Sequence, residues 1–276
     1  MRLRHTIHTP DSTGTHQRRS ARALLSALLI GSFALFAAPV SAAAGAAAAL
    51  GGIDFAPHST GAKLHSVGGT DALKFATSTN WGGYAAASTK YTSVTSTWVE
   101  PSASCGSSTT YASFWTGLDG YSSSSVEQTG TMVECYRGVA YQYSWYEMYP
   151  AYPVYFSNAM SAGDTFVSTV SATSSGVFTL YLADTSKGWS HTVTQTNSSL
   201  ARSSAEVIAE APYSGGVLPL ANFGTVTFNS SYVNGGTLAA SGPTSITMVT
   251  SSGTTKASVS SISSSGTSFS MTWHHT

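Results

Sequence analysis

The sequence predicts one all-β domain, a sandwich or a barrel, preceded by an export leader. Three observations carry this. From Ser78 onward the chain falls into short runs rich in Val, Thr, Tyr and Trp, separated by Gly and Ser, the pattern of strands joined by turns. No apolar period of 3.6 residues is sustained over a helical length. Charged residues make up only 9% of the chain, far below the usual quarter. Because 42% is hydrophobic and 11% aromatic, low charge here does not mean disorder.

Taken in order, the N-terminus comes first. Arg18-Arg19-Ser20-Ala21-Arg22 precedes an apolar run from Leu24 to Ala38, which Pro39 breaks before the small residues of Val40-Ser41-Ala42. Charge, apolar run and small-residue site in that order make residues 1–42 a secretory signal peptide. The run is too short for a membrane span. The Arg pair also allows a twin-arginine route. The mature chain is therefore expected outside the cell, soluble and monomeric. Residues 43–75 are Ala/Gly-rich, then irregular, with no sustained period. They fit a linker or a removable pro-segment.

The body, residues 76–276, carries the expected strands: Thr92–Val99, Thr110–Gly117, Ser125–Cys135, Ala140–Met148, Thr165–Ala172, Val177–Ala183, Ser190–Thr196, Ala205–Ala211, Thr225–Phe228, Ser245–Val249 and Ser268–Trp273. About a third of it is Ser or Thr, a surface that stays hydrated when carboxylates protonate. Cys105 and Cys135 are the only cysteines. In an exported chain they are expected to pair. The rival reading, a cysteine nucleophile, needs a neighbouring base, and only His191, His274 and His275 are at hand in the body.

Charge narrows the function. The chain sums to zero, but Arg2, Arg4, Arg18, Arg19 and Arg22 lie in the leader. From Ala76 onward five basic residues face nine acidic ones, a formal charge of −4. Such a body lacks the Lys and Arg that neutralise phosphates, so nucleic acid and anionic membranes are excluded as partners. No G-x-S-x-G elbow, H-E-x-x-H, C-x-x-C or phosphate-cradling Gly loop occurs, which leaves neither metal nor cofactor expected. Carboxylates, amides and aromatics remain.

Three segments gather them. As a strand, Ala205–Ala211 points Glu206, Ile208 and Glu210 to one side. In Ser125–Cys135 the alternation groups Val126, Gln128, Gly130 and Met132. In Ser144–Pro150 it groups Trp145, Glu147 and Tyr149. Read singly, each has a plain alternative: a solvent-facing strand side, a satisfied amide, an edge-strand charge.

Read together, they resemble the glutamic peptidases, or eqolisins, especially secreted bacterial members. Five ordered blocks carry the resemblance: Asn80-Trp81-Gly82-Gly83-Tyr84; Phe114-Trp115-Thr116-Gly117-Leu118-Asp119-Gly120 with Val126-Glu127-Gln128-Thr129-Gly130; Trp145-Tyr146-Glu147-Met148-Tyr149-Pro150; Ala205-Glu206-Val207-Ile208-Ala209-Glu210; and Ala221-Asn222-Phe223-Gly224-Thr225-Val226-Thr227-Phe228. The resemblance implies a concanavalin-like sandwich of two antiparallel sheets whose curved sheet forms a substrate groove. It implies Gln128 and Glu210 as the catalytic pair, with Glu206 a neighbouring acid. It sets Trp81, Trp115, Asp119, Trp145, Glu147 and Tyr149 along or behind the groove. It implies an acid-active endopeptidase with protein or peptide substrates, whose Glu stays partly ionised in acid. Ala211-Pro212-Tyr213 departs from the Asp-Phe continuation of fungal relatives. The alternative function is a secreted glycan-binding or glycan-cleaving sandwich, motivated by the aromatic groove and its acids.

Overall fold

A computed structural model describes residues 52–55, 65–66 and 74–276. The expected leader and most of residues 43–75 lie outside the described residues. The strands are β1 (His65–Ser66), β2 (Lys74–Ser78), β3 (Trp81–Ala86), β4 (Ser93–Val99), β5 (Thr110–Asp119), β6 (Val126–Tyr136), β7 (Val139–Tyr149), β8 (Val154–Tyr155), β9 (Thr165–Ala172), β10 (Val177–Asp184), β11 (Trp189–Thr196), β12 (Ala205–Glu210), β13 (Thr225–Val233), β14 (Gly236–Thr237), β15 (Thr244–Val249), β16 (Thr255–Val259) and β17 (Phe269–Trp273). Among the described residues no helix is long and apolar enough to cross a membrane.

The pairings define two layers. One runs β2–β15–β3–β12–β5–β6–β7–β8. The other runs β11–β10–β9–β4–β13–β17–β16. β16 also pairs with β15, so it joins the layers along one edge. Apart from the parallel β2–β15 pair, these ladders are antiparallel, as hairpin connections require.

Between the layers lies the main core. β9 alternates strictly between half-buried and buried residues, because one face meets the core and the other meets water. Trp98 is fully buried against Phe166 and Phe228, at ring-centroid distances of 6.1 and 5.8 Å. Burying an aromatic side chain of this kind contributes roughly 1.5–3 kcal/mol. Cys105 and Cys135 form the expected disulfide, with Cα atoms 5.2 Å apart and a separation of 30 residues. It ties the loop before β5 to the end of β6.

The strands β3 and β12 are buried at every position. Val207 and Ala209 of β12 belong to the inter-layer core. Ile208 belongs to a second apolar cluster on the opposite face, with Trp81, Trp115, Met132 and Trp145. This corrects the plain alternative for Glu206 and Glu210: their side of the strand does not face solvent, and both are fully buried.

Six strands, β1, β2, β3, β8, β14 and β16, lie outside the expected runs. β2 begins at Lys74, within the stretch read as linker or pro-segment, because residues 74–78 pair with Thr244–Met248. β16 had no clear alternation to announce it, since two buried residues stand side by side between half-buried ones.

Candidate active site

The register of five adjacent strands, β3, β12, β5, β6 and β7, assembles the site. On β5, Gly117 lies opposite Gln128 on one side and Glu206 on the other. Trp115 lies between Gly130 and Ile208, and Ser113 between Met132 and Glu210. β7 continues the row: Glu147 opposes Gln128, Trp145 opposes Gly130, and Tyr149 opposes Val126. Trp81 on β3 opposes Glu210. Alternation along the strands therefore brings Gln128, Glu210, Glu206, Trp81, Trp115, Trp145, Glu147 and Tyr149 to one face.

Gly130 makes the close packing possible. A Cβ there would come within 2.1 Å of the Phe114 carbonyl oxygen and 2.5 Å of the Trp115 Cβ. Its bare backbone lets Trp115 lie close to β6. Trp115 then meets Trp81 edge-on, with centroids 4.9 Å apart.

Glu210 is held at both oxygens. Oε1 accepts from Asn80 Nδ2 at 3.0 Å, and Oε2 accepts from Trp115 Nε1 at 2.8 Å. Burial raises its pKa well above the usual carboxylate range; the indole N–H groups of Trp115 and Trp81 oppose this, while Glu147 and Asp54 add to it. Gln128 donates from Nε2 to Glu147 Oε2 at 2.6 Å and to the Phe55 carbonyl at 2.9 Å. A carbonyl only accepts, so the amide must turn its NH2 this way. Gln128 Oε1 is buried and has no hydrogen-bond partner among the described residues. Glu147 is pushed up to about 8 by burial, against the lowering effect of the Gln128 hydrogen bond.

Other acids play supporting parts. Glu206 is raised by burial, with Asp119 and Glu127 as nearby like charges. Asp119 does not line the groove: its carboxylate accepts from the backbone N–H of Arg202 at 2.7 Å and of Ser203 at 2.6 Å. It thus anchors the turn leading into β12. Asn80 and the segment around Phe55 were not singled out from sequence. Asn80 sits inside the first quoted block, beside Trp81, but its contact with Glu210 spans 130 residues of chain.

The arrangement sets a carboxylic acid held on both oxygens and a non-titrating amide that donates to a peptide carbonyl on one buried sheet face walled by aromatics. Such a face on a β-sandwich suits a hydrolase acting on peptide bonds. Comparison with known proteins places the chain within that class: residues 79–273 match the model of the Peptidase A4 family, and the chain belongs to this family of glutamic peptidases. It is 34% identical over 199 residues to aspergillopepsin-2 of Aspergillus niger, covering 62% of this chain and 70% of that protein. Scytalido-glutamic peptidase, solved with a peptide-based transition-state analogue, superposes with a TM-score of 0.62 at 28% identity, over 71% of this chain and 98% of that one. Aspergilloglutamic peptidase from Aspergillus niger gives a TM-score of 0.53 at 32% identity, over 60% and 99% of the two chains.

Proposed function

We propose that the chain is a secreted, acid-active endopeptidase that hydrolyses peptide bonds through Gln128 and Glu210. The observation that best supports this is the amide of Gln128 donating to a peptide carbonyl at 2.9 Å, on the face that holds Glu210 between Asn80 and Trp115.

The chemistry follows from the groups. Glu210 as carboxylate takes a proton from a water molecule while that water's oxygen adds to the carbonyl carbon. The carbonyl oxygen becomes an oxyanion, and Gln128 Nε2–H stabilises it as a fixed donor. Gln128 Oε1 accepts from the attacking water. Glu210 then returns the proton to the amide nitrogen, and the C–N bond breaks. Glu147, bonded to Gln128, fixes the orientation of its amide.

Burial in the intact chain favours neutral Glu210, which differs from the expected partly ionised base. The cause is desolvation, with the nearby Asp54 and Glu147 charges. Access of water to Glu210 relieves the desolvation and restores the carboxylate.

The test is cleavage of denatured casein by the purified chain from acidic to neutral pH. We expect activity in acid that serine, thiol and metal-directed inhibitors leave intact. Release of reducing sugar from polysaccharide with no proteolysis at any pH would contradict it.

A further inference from the structure

Of the five basic residues in the body, only Lys256 is buried, at 6% exposure. It sits on β16 next to Ala257, whose side chain enters the inter-layer core, so alternation turns Lys256 away from that core. Its ammonium can donate three hydrogen bonds. It makes one long one, to the Thr79 carbonyl oxygen at 3.5 Å. No acid answers its charge. The ion pair among the described residues joins Lys187 to Asp164. Burial therefore lowers the Lys256 pKa with no charge opposing it. A buried cation without a counter-charge is costly to keep.

Lys256 lines a cavity of about 480 Å³, a size that suits a small ligand. Val217, Leu218 and Pro219 form an apolar wall, and Thr79 and Ser251 bring hydroxyls. Thr276 also lines it, but its main-chain oxygen lies 2.7 Å from His275 Nδ1. The cavity adjoins the catalytic end of the sheet. Thr79 immediately precedes Asn80, which donates to Glu210. Leu218 packs against the site-face cluster, and its N–H donates at 2.8 Å to the carbonyl of Pro212, just beyond Glu210. We propose that this cavity is a subsite for a peptide carboxylate, C-terminal or side-chain, held by Lys256 Nζ with its residue's apolar part on the Val217–Pro219 wall. This rests on the peptidase reading, since each bond cleaved leaves a new C-terminal carboxylate. Inorganic phosphate would offer the same charge but nothing for the apolar wall to bury.

The experiment measures binding to the full chain by calorimetry at pH 5. N-acetyl-leucine carries a main-chain carboxylate, the α-amide of N-acetyl-glutamic acid a side-chain one, and N-acetyl-leucinamide neither. Inorganic phosphate is the fourth probe. At least one carboxylate should bind, and the amide and phosphate should be at least about tenfold weaker, the weight of a hydrogen bond to a charged group. Whichever carboxylate binds more tightly identifies the source. Lys256→Met should erase the preference for acid over amide while Tm holds or rises, because an unpaired buried charge is gone. Lys256→Arg should keep the preference. Equal affinity for acid and amide in the parent would overturn the proposal, as would phosphate binding as tightly as the carboxylates or unchanged carboxylate binding in folded Lys256→Met. Should Lys256→Met fail to fold, Lys256→Gln is judged by the same criteria. The readout is binding, so it decides this proposal whether or not the chain digests casein; absence of casein cleavage would count against the peptidase reading alone.

Discussion

At the scale of single residues, the hydrogen bonds around Glu210 set the acid's strength. Trp115 Nε1 lies 2.8 Å from Oε2 and is the largest influence lowering a pKa that burial raises. Trp115→Phe keeps an aromatic ring and removes the donor, so the Glu210 pKa should rise further. We expect kcat to fall roughly 10–100-fold, the weight of one hydrogen bond to a charged group, with KM little changed. The acid limb of the pH–rate profile should move to higher pH. A profile that stays in place would show that Trp115 only fills space. The faces of Gln128, Glu206 and Glu210 were legible in the sequence, because alternation along a strand needs only local order. Their burial was not, since it depends on which strands become neighbours. Nor were Asn80 and Phe55 legible as site residues, because their contacts join segments that the sequence keeps 130 and 73 residues apart.

At the scale of elements, the site depends on two strands pressed together without side-chain volume between them. Gly130 is the point of contact, with the Phe114 carbonyl oxygen 2.1 Å from where its Cβ would stand. That obstacle is backbone and cannot swing aside. Gly130→Ala should therefore push β6 from β5, costing roughly 1–3 kcal/mol as overpacking does, a drop of several degrees in Tm for a domain of this size. It should also lower activity, because Gln128 shares the displaced strand. Unchanged Tm and activity would contradict the close packing. Outer-layer strands such as β9 and β10 were plain in the sequence because water on one face enforces alternation. The central strands β5, β6 and β12 were visible as strands whose side chains alternate, but with both faces buried nothing in the sequence tells the core side from the site side. β3 was visible only as the motif Trp81-Gly82-Gly83-Tyr84, since paired glycines do not look like a strand.

At the scale of the whole molecule, low charge acquires a consequence. Burial raises Glu100 to about 7, Glu127 to about 9 and Glu147 to about 8, and it raises Glu206 and Glu210 well above the usual range. In each case the folded pKa lies above the unfolded value of about 4.5, so the unfolded chain loses its protons first as pH rises. Below about pH 4.5 both states are protonated and the full stability is present. Between about pH 4.5 and 9 the unfolded state binds fewer protons, and stability falls. We predict the highest Tm in acid and a steady decline toward pH 9. A Tm that rises from pH 4 to pH 8 would contradict it. The sequence showed a hydroxyl-rich surface suited to acid. It did not show that all nine body carboxylates are buried, five of them with pKa values that burial raises.

The measurement that bears most directly on the catalytic assignment is casein cleavage in acid by Glu210→Gln beside the parent chain, after both have had the same opportunity for processing. Circular dichroism and Tm should first establish that the variant folds. The substitution keeps the size and the hydrogen-bonding oxygen of residue 210 but removes its proton chemistry. Loss of all detectable cleavage in a folded protein is predicted. Cleavage at the parental rate would mean that Glu210 is not the catalytic acid–base.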